Sequence, residues 1–409
     1  MEISQPEPSH GDKSDQLDTP RAVNPPLPPL TDAASNTNQL PTFKVDDSAA
    51  QEETLSEKAT STDAEMTDNS LAPPDSEVNS VIQPGRQVSD SQLPTELSGA
   101  LTKIQELLGS VKKNDTKIDD GTYADVFKGT LDMPDGSRLE VAIKCIRRID
   151  SATDERFNTR VRREAYIWMT ANHPNILEFI GYQMVDGKPW LVSPFCKHRS
   201  LTHYIKKDPN MLQSEKLRLL CGAARGLAHL HALTPIIVHG DIKPDNVLVK
   251  DNLEAALCDF GVSRIFVGTG KTSGLTTTGN RVGGTAGYQA KEVLISAAPS
   301  TEGDVYAFGG LILAAMSGNN PFWRKKNEAV RIAAVCMDEI PIPKDHPRLP
   351  AADSLWGLLR ECWNIDPEKR PNMETILQRL ESEREKRLEQ EEQKRLEQEQ
   401  KRLERENRS

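Results

Sequence analysis

Nowhere in the 409 residues is there a run approaching the roughly 18 to 20 apolar residues that a membrane-spanning helix needs, so no membrane span is expected. The first residues, Met1-Glu2-Ile3-Ser4-Gln5-Pro6, lack the basic stretch and apolar core of a secretory signal. Cysteine is sparse: Cys145, Cys196, Cys221, Cys258, Cys336 and Cys362 are scattered with no paired metal spacing. They read as reduced thiols, which points to the cytoplasm and leaves the nucleus open. A net charge of -10 is modest for this length, so nucleic acid is not expected as a partner.

Residues 1–92 are almost without aromatic side chains and carry about twelve more acidic than basic groups. Rich in Ser, Thr, Pro and Gln, they cannot bury enough apolar surface to offset the entropy of ordering, and a disordered tail is expected. Within it Pro25-Pro26-Leu27-Pro28-Pro29 favours polyproline II, either as a stiff linker or as a ligand for an aromatic groove. Over 93–113 the pattern changes. Leu97, Leu101, Ile104, Leu108 and Val111 recur at three- and four-residue steps, which predicts an amphipathic helix ending near Lys112 and Lys113.

The folded domain is expected over 114–382. Short β-like runs come first, at 124–128, 139–146 and 190–195, and helical patterns follow at 214–233, 305–317 and 354–363. That order predicts an α+β fold with a small sheet-rich part joined to a larger helical one. From 383 to 409 nearly every residue is Glu, Lys, Arg, Gln or Leu, with opposite charges at i,i+4 that favour a helix. One Leu per seven or eight residues makes a thin seam. A solvated single helix is the leading expectation, and self-association through it is the alternative.

The chemistry is concentrated in His239-Gly240-Asp241-Ile242-Lys243-Pro244-Asp245-Asn246 and, a dozen residues on, Asp259-Phe260-Gly261. A carboxylate can orient a hydroxyl and accept its proton, an ammonium can steady a phosphoryl group, and an amide with a second carboxylate can hold a metal ion. Upstream, Ile118 to Gly129 reads as a hairpin whose Gly-rich turn lets backbone N–H groups approach phosphate oxygens. Val141-Ala142-Ile143-Lys144 alternates as a buried strand, and the ammonium of Lys144 needs a counter-charge, for which Glu164 is the natural partner.

The region resembles a eukaryotic protein kinase domain over about two thirds of the chain, and the resemblance implies a bilobal fold. By that resemblance Lys144, paired with Glu164, holds the α- and β-phosphates, Asp241 is the catalytic Asp and Lys243 contacts phosphate. Asn246 and Asp259 match the metal ligands, with ATP and Mg2+ as cofactors. Ile118, Gly121, Ala124, Val126, Ala142 and Lys144 match the nucleotide grip, and Ser193, Phe195 and Cys196 the gatekeeper and hinge. Gly284 to Glu292 is similar to the end of an activation segment, Asp304 to the residue that anchors the catalytic loop, and Arg370 to the partner of Glu292. Cys362-Trp363, Lys243 and Thr285 together resemble the tyrosine-kinase-like group, which implies protein substrates modified on Ser or Thr.

The pattern has departures. Asp119 and Ala124 stand where the family has the first and third loop glycines, Gly240 replaces an Arg, and Lys291 replaces a Pro. Gly240 implies activity without a phosphorylated loop, although Thr269, Thr272, Ser273, Thr276, Thr277 and Thr278 lie there. The altered glycine loop keeps a pseudokinase scaffold open as an alternative. A small-molecule phosphotransferase shares the His-Gly-Asp string but typically lacks the Lys243 position and the 284–292 segment.

Overall fold

The computed structural model describes residues 106–107, 110–120, 124–147, 154–267, 271–272, 284–296 and 298–408, with backbone alone for 119–120, 154–160, 266–267 and 271–272. The expectations for 1–92, for most of the 93–113 helix, for Gly121 and for Ser273 to Thr278 lie outside the described residues.

Alternation builds the first lobe. Strands β1 (Val111–Asp120), β2 (Ala124–Asp132) and β3 (Arg138–Ile146) are followed by helix α1 (Asp154–Thr170), then β4 (Gly181–Val185) and β5 (Lys188–Pro194). They form an antiparallel sheet in the order β1-β2-β3-β5-β4. In β3 the period of two turns Val141 and Ile143 into a core with Leu107, Val111, Leu131 and Val192, and leaves Ala142 and Lys144 for the opposite face. Each such burial contributes about 1.5–3 kcal/mol.

Here the expected 93–113 helix is corrected at its end. Val111, Lys112 and Lys113 are strand, paired with Leu131, Thr130 and Gly129. Of the residues in that apolar spacing only Val111 is described, and it is buried in the sheet; Leu107, outside the spacing, is buried beside it and its N–H donates to the Tyr182 carbonyl at 2.7 Å.

The second lobe is helical: α2 (Leu201–Lys207), α3 (Gln213–Ala232), short strands β6 (Ile236–Val238), β7 (Val247–Val249), β8 (Ala255–Leu257), β9 (Arg264–Val267) and β10 (Lys271–Thr272), then α4 (Lys291–Ser296), α5 (Thr301–Ser317), α6 (Glu328–Cys336), α7 (Leu355–Cys362) and α8 (Met373–Glu406). Helix α5 is apolar nearly all round and almost wholly buried, as a central core helix must be. Ser300 caps its start by accepting from Gly303 N–H at 3.0 Å, and Gly318 ends it in the left-handed conformation. The β6–β9 pairing and the β7–β8 pair hold the two chemical strings side by side.

The boundary expected at 382/383 falls inside one continuous helix. α8 buries Met373, Ile376, Leu380 and Glu383. Arg387 pairs with Asp353 at 2.7 Å and Glu383 at 2.8 Å, and Glu391 accepts from Ser214. Only from Glu392 onward is every described residue exposed.

Candidate active site

β3 delivers Lys144 into the cleft between the lobes, and α1 brings Glu164 to it. The ammonium lies 2.5 Å from Glu164 Oε1 and 2.7 Å from Asp259 Oδ1. Burial on its own would pull the Lys144 pKa down, but the Asp259 and Glu164 carboxylates outweigh it and the pKa rises. For Asp259 burial opposes ionisation, and Lys144 with the Gly261 N–H reverses it, holding the carboxyl well below the usual range. Asp259 sits at φ +68°, and its Oδ1 accepts from Gly261 N–H at 3.2 Å.

Catalytic-loop geometry depends on Asp304, 2 % exposed at the start of α5. Its two oxygens accept from His239 N–H and Gly240 N–H, both at 2.8 Å, and His231 Nε2 lies 3.0 Å away. A buried carboxylate so supplied is no longer a desolvation liability. Gly240 has φ +81°, and a Cβ there would stand 3.2 Å from the Val262 carbonyl oxygen, so this position favours glycine.

Asp241 leaves that anchored loop with its carboxylate gathered by three side chains. Lys243 Nζ donates to Oδ2 at 2.7 Å, Asn246 Nδ2 to Oδ2 at 2.9 Å, and Thr285 Oγ1 to Oδ1 at 3.1 Å. Lys243 also reaches Thr285 Oγ1 at 2.8 Å. Burial lowers the Lys243 pKa and Asp241 more than restores it, so the ammonium stays charged. Cys258 N–H donates to the Asn246 carbonyl at 3.0 Å, which sets Asp259 beside Asn246. With its amide nitrogen committed to Asp241, Asn246 keeps its carbonyl oxygen as the other donor atom of that side chain. An amide oxygen and an ionised carboxylate are the hard ligands a divalent cation such as Mg2+ takes, usually alongside water and phosphate, so the residues fit such an ion.

Between the lobes lies a cavity of about 230 Å3. Of the residues expected for nucleotide, Ile118, Val126, Ala142, Lys144, Ser193, Phe195 and Cys196 line it, as do Asn246 and Asp259. Ala124 does not: it is buried at the start of β2, opposite Ile146. Leu248, Arg199, Ser200, Asp245 and Cys258 line the cavity without having been expected. Leu248 had a signal, since it stands two residues past Asn246, in the middle of β7 beneath the cleft.

A row of tilted aromatic contacts was also missed. Phe179 and Trp168 are 5.3 Å apart, Trp168 and Phe260 6.2 Å, Phe260 and His239 5.4 Å. Trp168 is four residues after Glu164 on α1 and therefore on the same face. One helix position thus sets both the Lys144 ion pair and the packing of Phe260. Near the substrate side, Arg370 holds Glu292 through Nη1 at 2.5 Å and Nη2 at 3.1 Å, the pairing expected from the sequence. Lys291 pairs with Asp338 at 2.8 Å.

A five-stranded lobe over a helical lobe, with lysine–glutamate pair, anchored aspartate and cation ligands facing one cleft, defines a bilobal protein kinase fold. The comparisons agree: the family model "Protein tyrosine and serine/threonine kinase" matches residues 112–380, and the chain belongs to that family. It is similar to the dual specificity protein kinase shkA of Dictyostelium discoideum, at 29% identity over 73% of this chain and 53% of that one. It is also similar to the probable serine/threonine-protein kinase SIS8 of Arabidopsis thaliana, at 31% identity over 64% of this chain and 24% of that one. The probable serine/threonine-protein kinase PBL11 of Arabidopsis thaliana matches at 28% identity over 65% of this chain and 72% of its own. The chain spans about half the length of the Dictyostelium relative and about a quarter of SIS8.

Proposed function

We propose that the chain transfers the γ-phosphoryl group of ATP, with Mg2+, to Ser or Thr hydroxyls of proteins. The observation that carries this reading is the convergence of Lys243, Asn246 and Thr285 on the Asp241 carboxylate beside a closed Lys144–Glu164 pair. Asp241 orients the incoming hydroxyl and accepts its proton. Lys243 steadies the transferring group, and Lys144, held by Glu164, holds the α- and β-phosphates. Bound through Asn246 and Asp259, Mg2+ would supply charge neutralisation at the phosphates. Thr285 supports the Ser/Thr preference, since its hydroxyl bridges Asp241 and Lys243 where the acceptor hydroxyl must arrive. A scaffold without catalysis is less favoured, because Lys144, Glu164, Asp241, Asn246 and Asp259 are all in working positions.

The test is phosphotransfer from Mg-ATP to a generic protein substrate, followed by phosphoamino-acid analysis. Asp241→Asn is expected to lower the rate by about 10²–10⁴-fold, the range for removing a general base, while Mg-ATP still raises the melting temperature. Equal rates for wild type and Asp241→Asn would sink the assignment. Phosphotyrosine as the main product would sink the Ser/Thr preference.

We also infer a reducing compartment, cytoplasm or nucleus. Supporting this, all six cysteines are free, and burial pushes the Cys145, Cys196 and Cys221 thiols up to about 11. Self-association through the distal turns of α8, where Leu388, Leu396 and Leu403 are exposed, is a further proposal that sedimentation at rising concentration tests.

A further inference from the structure

Arg199 lies in the segment that leaves β5 for α2, at φ +62°. That is left-handed backbone, which a residue with a Cβ enters at a steric cost and glycine does not. A long cationic side chain kept in such a conformation calls for a compensating contact. The contact is across the cleft: Arg199 Nη2 donates to the Ile118 carbonyl oxygen at 3.1 Å. Ile118 belongs to β1 of the first lobe and Arg199 to the entrance of the second. Both line the same cavity as Lys144, with Ser200 and Asp245 beside them.

The partner carbonyl belongs to the residue just before Asp119, where an acid stands in place of the loop's first glycine. Gly121 is the one glycine in the 119–124 stretch. By sequence the 119–124 stretch carries added negative charge and one glycine where the family has three. Arg199 brings a planar fork of five N–H donors and a fixed positive charge to the cavity edge at Ile118.

We propose that Arg199 is a nucleotide-positioning clamp. It ties β1 to the second lobe across the cleft mouth and supplies part of the hold on ATP and ADP that the altered hairpin lacks. The clamp rests on the nucleotide reading above. With the mouth tied, a bound nucleotide leaves only when this hydrogen bond opens, so the clamp acts chiefly on dissociation.

The experiment uses the full chain and Mg-ADP, which binds without turnover. Calorimetry gives affinity, displacement of a fluorescent ADP analogue gives the off-rate, and melting of the nucleotide-free protein gives stability. Arg199→Gly is expected to weaken Mg-ADP five- to tenfold, mostly through faster dissociation, and to raise KM for ATP by a similar factor, with the loss in KM rather than kcat. The nucleotide-free melting temperature stays level or rises, because glycine relieves the left-handed strain. Arg199→Gln is expected to keep most of the affinity, since a side-chain amide can still donate to Ile118. An Arg199→Gly protein with wild-type affinity and off-rate overturns the clamp and leaves the nucleotide reading intact. So does Arg199→Gln as weak as Arg199→Gly, or a melting temperature that falls in step with affinity, which makes Arg199 a structural prop. No Mg-ADP binding by wild type or variants overturns the clamp and the nucleotide reading together.

Discussion

Lys144 is a buried ammonium whose charge is kept by two carboxylates, 2.5 and 2.7 Å away. Glu164→Gln removes the better buried of them, and removing one partner of a buried pair costs on the order of 3 kcal/mol. Because Asp259 remains, the loss is expected at the lower end of the usual range, about 3 kcal/mol, read by urea unfolding. His346 offers a pH test. It is 1 % exposed, its Nδ1 lies 2.9 Å from Ser317 Oγ, and Nε2 has no partner among the described residues. Burial, reinforced by Arg324 and opposed by Asp345, pushes its pKa from 6.5 down to about 4. Between those values the unfolded chain binds more protons than the folded one, so stability falls as pH drops from 6.5 toward 4 and levels below. The slope is at most about 1.4 kcal/mol per pH unit. His346→Phe is expected to flatten that part of the melting-temperature profile, and an unchanged slope would show that other groups carry it.

At the scale of elements, α8 divides into two functions along one continuous helix. Up to Glu391 it is part of the domain, through Leu380 in the core, Arg387 on Asp353 and Glu391 on Ser214. Beyond that its side chains are exposed, and exposed i,i+4 pairs such as Arg402–Glu406 are each worth only about 0.3–0.5 kcal/mol to a helix. Truncation after Glu392 is therefore expected to leave the melting temperature within about 2 °C of wild type, since 1 kcal/mol moves a domain of this size by about 2–4 °C. Truncation after Lys386 is expected to lower it several times further, by removing Arg387 and Glu391. A large loss from truncation after Glu392 would mean that the distal turns are part of the fold, and equal losses from the two would mean that Arg387 and Glu391 contribute nothing. The composition changes near 383, but composition does not say which turns of a charged helix find partners. Ser214 and Glu391 are 177 positions apart, and no local spacing connects them. The Val111–Lys113 strand was misread for a related reason: Val111 closes a run of three- and four-residue apolar steps, and only its pairing with Leu131 of β2 makes it strand.

For the whole molecule, the two lobes already meet across the cleft through Lys144–Asp259 and Arg199–Ile118, and a ligand bound in the cleft would touch both. Mg-ATP at about 100 times its dissociation constant is expected to stabilise the fold by about 2.7 kcal/mol, seen as a rise of roughly 5 °C or more in melting temperature. Asp259→Asn is expected to remove the Mg2+-dependent part of that rise, and an undiminished response would take Asp259 out of the cation site. The sequence alone determined the chemistry of the second lobe's loop. Asp241, Lys243 and Asn246 lie within six residues, so one short loop must present them together. It also determined β3, where a period of two separates Ile143 from Lys144. Tertiary structure alone decided other contacts between distant segments: Trp168 on Phe260 and Phe260 on His239, Arg199 on Ile118, and α8 on α3. Local spacing records which side chains share a face. Which face meets which depends on how two lobes bury their apolar surfaces at once, and that is a property of the packed molecule.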